Sequence, residues 1–279
     1  MKSPIKYFGG KGGMYQDIIR YFPPEDSYEV YIEPFGGAAS ILLQKKPTPI
    51  EIYNDLNKNV YSLFKVLSDK KLFAEFKKKC DISPYSKTIR DEFKEDLKGD
   101  LSVGDRAYKY FYVNRTSVNG VGGFAFTTTV RRNMCKSVSD YLSAIDGLTE
   151  LHQRLSRVIV ENRDALKLIP KYDRDNVFMY LDSPYHQSTR TTFRYEIDMT
   201  DEQQAEYIDV LLSVKKAKML VSGYDCPLYN ELCKKGWKRE DFKVNTTDGT
   251  HKPKKKVESL WMNYDCNSLM MENSSLFEG

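Results

Sequence analysis

Apolar and polar positions alternate in two rhythms along the first quarter of the chain. The run from Tyr28 to Glu33 predicts a strand, and Ile50 to Tyr53 a second, shorter one. Between them, Pro34-Phe35-Gly36-Gly37 reads as a turn, and Ala38 to Gln44 as the helix leaving it, broken by Pro47 and Pro49. Val60, Leu63, Phe64 and Leu67 fall at helical spacing, so Asn57 to Leu67 predicts a helix with one buried face. A shorter amphipathic helix, Met14 to Phe22, stops at Pro23-Pro24. The order strand, helix, strand, helix is the signature of a parallel sheet.

From Asp69 to Gly147 the pattern becomes helical and charged, interrupted by a Gly/Thr-rich loop from Asn119 to Val130. Alternation suited to a sheet returns at Arg157 to Glu161, Asn176 to Leu181 and Lys218 to Ser222, then near Lys238 to Val244 and Glu258 to Tyr264. Asp201 to Val214 predicts a helix with Thr200 as its N-cap. The expected organisation is one α/β domain, residues 1–68 and 148–279, with a lobe inserted at 69–147. No internal repeat is visible.

Composition narrows the class. Five scattered cysteines, Cys80, Cys135, Cys226, Cys233 and Cys266, form no CxxC pair and no zinc-like spacing with histidine, which suits free thiols and predicts no structural metal. No apolar run reaches membrane-spanning length, and a cytoplasmic location is expected. The net charge of +4 says little, but its distribution says more. Arg106, Lys109, Arg115, Arg131, Arg132 and Lys136 occur in a stretch without one acid, interleaved with Tyr108, Tyr110, Phe111, Tyr112, Phe124 and Phe126. Such a mixture suits phosphate contact and base stacking. A buried aromatic core under a solvated charged face is the alternative, and Tyr108 to Tyr112 fit that alternative better.

The candidate chemistry sits at strand ends, where open parallel sheets bind their ligands. Glu33-Pro34-Phe35-Gly36-Gly37 closes the first strand. Asp55, 19 residues after Gly36, is placed to meet ribose hydroxyls. The loop is neither GxGxxG nor GxxxxGK[ST], which disfavours nicotinamide and P-loop nucleotides. Structural roles stay open for Asp55, as a helix cap, and for Glu33, as a buried carboxylate. Asp182-Ser183-Pro184-Tyr185 follows the apolar strand ending at Leu181. A carboxylate and a rigid backbone carbonyl can accept from both N–H bonds of an aromatic amine and localise its lone pair. Pro184 stiffens the backbone and brings no N–H, and Tyr185 offers a face for stacking. An ordinary strand-exit turn has the same residue types.

Taken together, Lys6-Tyr7-Phe8-Gly9-Gly10-Lys11, Glu33-Pro34-Phe35-Gly36-Gly37, Asn54-Asp55-Leu56-Asn57 and Asp182-Ser183-Pro184-Tyr185 occur in the order seen in the Dam-like adenine-N6 DNA methyltransferases of bacteria and phages, which the chain resembles over nearly its whole length. The resemblance implies a Rossmann-like methyltransferase sheet with helices on both faces. Residues 69–147 become a mostly helical target-recognition lobe with a β-hairpin. It implies S-adenosylmethionine as methyl donor, double-stranded DNA as substrate, no metal, and a monomer or weak dimer. Carried over position by position, Tyr7, Lys11, Glu33, Phe35, Gly37, Asp55, Asp164 and Asp182 meet the cofactor. Lys6, Arg115, Asn119, Phe124, Arg131 and Arg132 meet DNA, with Asn119 where a recognition hairpin enters the duplex. Asp182 and the Ser183 carbonyl accept from the target amine, Pro184 holds the backbone, and Tyr185 stacks on the flipped adenine.

Three departures qualify that picture. Ser183 replaces the usual first proline of the tetrapeptide, keeping the carbonyl but loosening the backbone. Ala38-Ala39 stand where many members have glycine. Gly123 occupies the place of the arginine with which GATC-specific members read guanine, so that target does not carry over, and Arg131 or Arg132 is the candidate guanine reader or phosphate contact. Lys252-Pro253-Lys254-Lys255-Lys256 reads as a phosphate-touching loop or a solvated turn, and His186 as a DNA-backbone contact. The rival readings are a non-catalytic DNA-binding relative and an RNA- or protein-directed methyltransferase.

Overall fold

The computed structural model describes residues 1–7, 11–185, 198–247 and 253–266. Phe8, Gly9 and Gly10 of the N-terminal motif, His186 and Lys252 lie outside them. In chain order the elements are α1 (Tyr15–Ile19), β1 (Val30–Glu33), β2 (Ile50–Asn54), α2 (Lys58–Ser68), α3 (Lys70–Ile82), α4 (Lys87–Asp96), α5 (Val103–Thr116), β3 (Val130–Arg131), β4 (Met134–Cys135), α6 (Lys136–Asp146), α7 (Leu148–Leu155) and β5 (Val158–Glu161). There follow α8 (Ala165–Leu168), β6 (Val177–Leu181), α9 (Asp201–Ser213), β7 (Lys218–Gly223), α10 (Asn230–Lys234), β8 (Lys238–Thr247) and β9 (Pro253–Met262). They form two compact units. The first comprises Met1–Gly13, Gly37–Lys46 and Asp55–Asn162, the second Met14–Gly36, Pro47–Asn54 and Arg163–Gly279.

The first unit is mostly helical, and α2 to α5 begin where side chains can satisfy their free N–H groups. Asn57 caps α2 by accepting from the amides of Asn59 and Val60, and Asp69 caps α3 through those of Lys71 and Leu72. Ser86 and Ser102 do the same for α4 and α5. The apolar face of α2 (Val60, Leu63, Phe64, Leu67) is fully buried and packs on α5, α7 and β5. Each such side chain contributes roughly 1.5–3 kcal/mol. Tyr112 and Phe111 of α5 are also fully buried, as the core alternative for Tyr108 to Tyr112 anticipates.

The second unit carries the mostly parallel sheet. Its strands run in the order β2-β1-β6-β7-β9-β8, parallel from β2 to β7 and antiparallel at β7–β9 and β9–β8. Every residue of β6 is buried, as a strand covered on both faces requires. Helix α9 opens with a capping box: the Thr200 hydroxyl accepts from the Gln203 amide, while the Gln203 side chain accepts from the Thr200 amide. The architecture is α/β and Rossmann-like, with helices flanking the sheet.

Several sequence expectations change. Ala38 to Gln44 is a run of turns rather than a helix, because Gly37 and Ala39 both take left-handed backbone (φ +47° and +53°). Isolated bonds, such as Leu43 N to Ala39 O and Lys45 N to Ile41 O, keep a trace of the helical pattern. β8 and β9 are longer than their apolar alternation suggests, because they pair with each other from Lys238↔Met262 to Thr247↔Pro253. Residues 253–256 of the lysine run are therefore strand, not loop. The paired hairpin of the first unit is β3–β4, closed by Arg132 and Asn133 at φ +51° and +57°. That is a two-residue turn with both central residues left-handed, and it does not contain Asn119.

Candidate active site

In the second unit, β1 and β6 are adjacent and parallel, paired through Ile32↔Met179. The chain leaves β1 toward β2 on one side, while β6 lies on the other, so their carboxyl ends meet at a switch in strand order. Glu33 closes β1 and the tetrapeptide follows β6. Glu33 is buried and accepts from the Tyr31 hydroxyl at 2.8 Å. The loop after it is pinned by Asn54, which is fully buried. Its side chain donates to Pro34 O (2.8 Å) and Arg163 O (3.0 Å) and accepts from Arg163 N, while its carbonyl accepts from Gly36 N (2.8 Å). A Cβ on Gly36 would lie 2.1 Å from the Tyr53 ring, so only glycine fits. Phe35 stands edge-on to Tyr207, and Asp164 caps α8 through the Leu166 amide.

Each residue of the tetrapeptide is tied to a side chain from a different part of this unit. Ser222 of β7 donates to Asp182 Oδ1 at 3.1 Å and pairs with the Tyr180 hydroxyl at 2.9 Å. The Ser183 hydroxyl meets that of Tyr229 at 3.2 Å. Gln204 Nε2 of α9 donates to Pro184 O at 2.7 Å. The Tyr185 hydroxyl donates to Glu258 Oε1 of β9 at 2.6 Å, and its ring stands edge-on to Tyr224 at 4.6 Å. Ser183, Gln204, Tyr229 and Glu258 are all buried. The Tyr180 phenol is held well above its ordinary range, first by burial and then by the negative charge of Asp182, with Glu258 and Glu33 adding to it. Three carboxylates thus act electrostatically on one buried ring.

Sequence reasoning found the tetrapeptide but not its anchors. Ser222, Gln204, Tyr229 and Glu258 stand 20 to 73 residues beyond the residues they hold, and no short-range spacing marks them. Gln204, Ser222 and Glu258 fall on predicted elements, while Tyr229 falls between them and carried no signal.

In the first unit, Asp55 is 8% exposed and both oxygens accept backbone N–H groups: Oδ2 from Gly37 and Oδ1 from Asn57, each at 2.8 Å. It is not the N-cap of α2, a place taken by Asn57. A Cβ on Gly37 would come within 3.0 Å of the Tyr7 ring, which places Tyr7 beside this loop. Lys11 is buried in a short 3-10 turn.

The candidate DNA-facing residues of this unit divide into two sets. Lys6 and Arg115 are engaged internally. Lys6 Nζ donates to Arg115 O and Ser117 O at the end of α5, and the Arg115 guanidinium donates to Ser3 O and Pro4 O. Burial, then the Arg115 charge, lowers the Lys6 pKa. Asn119, Arg131 and Arg132 are exposed, and Phe124 is half-buried against Tyr85. Arg131 pairs with Asp140 at 2.7 Å and Arg132 donates to Ser143 Oγ at 3.0 Å. Asn119 lies in a loop closed by Ser117↔Phe124 pairing and by Val118 N to Gly123 O and Ala125 N to Thr116 O bonds. Arg90, buried at the loop's base, donates to Ser117 Oγ and Gly122 O. Asn114 exchanges two hydrogen bonds with the Lys6 backbone and donates to Gly120 O.

This loop is closed by hydrogen bonds at several points, and Gly120 is its most constrained residue. Its φ is +85°, and a Cβ there would lie 2.4 Å from Lys6 O. Gly120→Ala is expected to cost about 1–2 kcal/mol from the left-handed backbone alone, more with the clash. Chemical denaturation checks this, and an unchanged midpoint contradicts it.

Among the described residues no cluster of three or more His, Cys, Asp or Glu gathers to hold a metal, and no helix is long and apolar enough to cross a membrane. The chain is 29% identical over 206 residues to the modification methylase StsI of Streptococcus sanguinis, an alignment covering 66% of this chain and 29% of that enzyme. Residues 7–248 match the model of the D12 class N6 adenine-specific DNA methyltransferases. With the motifs at the ends of β1 and β6 and the match running through both units, this chain belongs to the D12 class N6 adenine-specific DNA methyltransferase family.

Proposed function

We propose that the chain transfers a methyl group from S-adenosylmethionine to the N6 amine of an adenine flipped out of double-stranded DNA. The observation that carries this is the anchored tetrapeptide at the carboxyl end of β6. S-adenosylmethionine supplies an electrophilic methyl on a cationic sulfur. The residues present fit such a group: Glu33 and Asp182 bring carboxylates, which suit a cation, to the carboxyl ends of the adjacent parallel strands β1 and β6, and Asp55 holds a left-handed glycine at Gly37. Tyr7, Lys11, Glu33, Phe35, Gly37, Asp55, Asp164 and Asp182 are the proposed cofactor contacts.

Asp182 and the Ser183 carbonyl accept the two N–H bonds of the adenine amine. This draws its lone pair out of the ring and toward the methyl carbon. When bound, S-adenosylmethionine would supply the methyl carbon for the new N–C bond, its departing sulfur would keep the C–S electron pair, and the nitrogen's surplus proton would pass to solvent. Pro184, fixed by Gln204, keeps the acceptors in register, and Tyr185, held through Glu258, presents its ring to the flipped base. Positioning and fixed dipoles facing the growing positive charge supply the acceleration.

Residues 69–147 are proposed as the target-recognition lobe, with Asn119, Phe124, Arg131 and Arg132 on its DNA-facing surface. Lys6 and Arg115, whose side chains hold backbone carbonyls, support that surface from beneath. The catalytic role falls to 1–68 and 148–279, acting in the cytoplasm as a monomer or weak dimer.

The test is direct. Purified protein is incubated with S-adenosylmethionine carrying a labelled methyl and with unmethylated double-stranded DNA, and the nucleosides are resolved by mass spectrometry. Label in N6-methyladenine is expected. DNA binding without label transfer supports a non-catalytic relative, and label in RNA or protein alone supports the other rival.

A further inference from the structure

We propose that Tyr229 is a positioning residue for methyl transfer, and that with Ser183 it replaces the stiffness a proline would bring to the first variable place of the tetrapeptide. The proposal rests on the methyltransferase reading above.

Serine at position 183 frees the backbone dihedral that proline would fix, just where a carbonyl must be held to accept from the substrate amine. The structure shows what compensates. The Ser183 side chain is 1% exposed, and its hydroxyl meets the Tyr229 hydroxyl at 3.2 Å. Tyr229 is itself 3% exposed, and its ring packs on Trp261 at 4.7 Å between centroids. A short serine side chain tied to a large, packed phenol cannot change rotamer without breaking a buried hydrogen bond. The peptide on the other side of Pro184 is fixed independently by Gln204. The Ser183 carbonyl therefore sits between two tethers, one through its own side chain and one through the next carbonyl.

The Tyr207 hydroxyl, also fully buried, has no hydrogen-bond partner among the described residues. The Ser183 hydroxyl meets the buried Tyr229 hydroxyl, and a proline at 183 would remove that partner. Restoring the common proline in this chain should harm, not help.

The experiment measures single-turnover methylation rates together with affinities for DNA and S-adenosylmethionine. It compares the wild type with Tyr229→Phe, Ser183→Ala, the Ser183→Ala/Tyr229→Phe double variant, Ser183→Pro and Ser183→Pro/Tyr229→Phe. Tyr229→Phe and Ser183→Ala should each lower the rate about tenfold, the order expected from a small misplacement of a reacting group, while both affinities hold. The Ser183→Ala double variant should be no slower than either single one, because both remove the same tether. Ser183→Pro should be slow, and adding Tyr229→Phe should restore part of its rate. Rates within twofold of wild type for both single variants overturn the proposal, as do independent, multiplying losses in the double variant. So does loss of cofactor affinity in Tyr229→Phe, which would mark a merely structural role. A wild type that methylates nothing refutes the methyltransferase reading instead, and the two failures are therefore distinct.

Discussion

Asp182→Ala is expected to slow methyl transfer by roughly 10²–10³-fold while leaving DNA affinity nearly intact. The estimate follows from the size of effect seen when one preorganised group facing developing charge is removed. Here that group is an acceptor facing a nitrogen that becomes positive as the N–C bond forms. Asp182 ends the central strand β6, and its Oδ1 is oriented by Ser222. The substitution should not unfold the site. Ser222 keeps its bond to Tyr180, and the ties of Ser183, Pro184 and Tyr185 come from other elements. Asp182 is also a proposed cofactor contact, so a modest fall in S-adenosylmethionine affinity should accompany the loss of rate. Single-turnover kinetics and a DNA-binding titration separate the effects. A variant that turns over normally would show that the acceptor has been misassigned.

The second large effect is expected at Asp55. Both of its oxygens accept backbone amides, and one of those belongs to Gly37, whose left-handed backbone shapes the loop. Asp55→Ala leaves the Gly37 N–H without that acceptor and removes the carboxylate proposed to hold the ribose. Hydrogen bonds to charged groups contribute about 1.5–3 kcal/mol each, so the S-adenosylmethionine Kd should rise roughly 10–100-fold. Helix α2 should survive, because its cap is Asn57 and not Asp55. Calorimetric titration with the cofactor, beside thermal unfolding of the same samples, checks both halves. An unchanged Kd would remove Asp55 from the cofactor site, and collapse of the fold would make its role structural.

The strands and long helices were legible because burial imposes their periods directly. β6 is apolar throughout because both of its faces are covered, and α2 repeats Val60, Leu63, Phe64 and Leu67 because one face packs. Thr200 announced the start of α9 as its N-cap. What was not legible depends on contacts distant in sequence or on backbone handedness. Ala38 to Gln44 has helical composition, but Ala39 is held at positive φ and the segment turns instead. The lengths of β8 and β9 come from their mutual ladder, and the apolar alternation covers only part of each.

At the site, the motifs themselves were visible because their chemistry is local. Lys6 and Arg115 were read as DNA contacts from charge and motif position, yet both side chains meet backbone carbonyls, a use of cations that composition does not reveal. Ser183 read as a looser proline, because the Tyr229 hydroxyl that tethers it stands 46 residues away.

The central claim is adenine-N6 methylation of DNA at a defined sequence. The most direct measurement is to express the protein in a host lacking adenine methylation and map modified adenines by direct sequencing of that host's DNA. N6-methyladenine is expected at one recurring sequence motif, absent when Asp182→Ala is expressed at the same level. Soluble, cofactor-binding protein that leaves every adenine unmodified would contradict it.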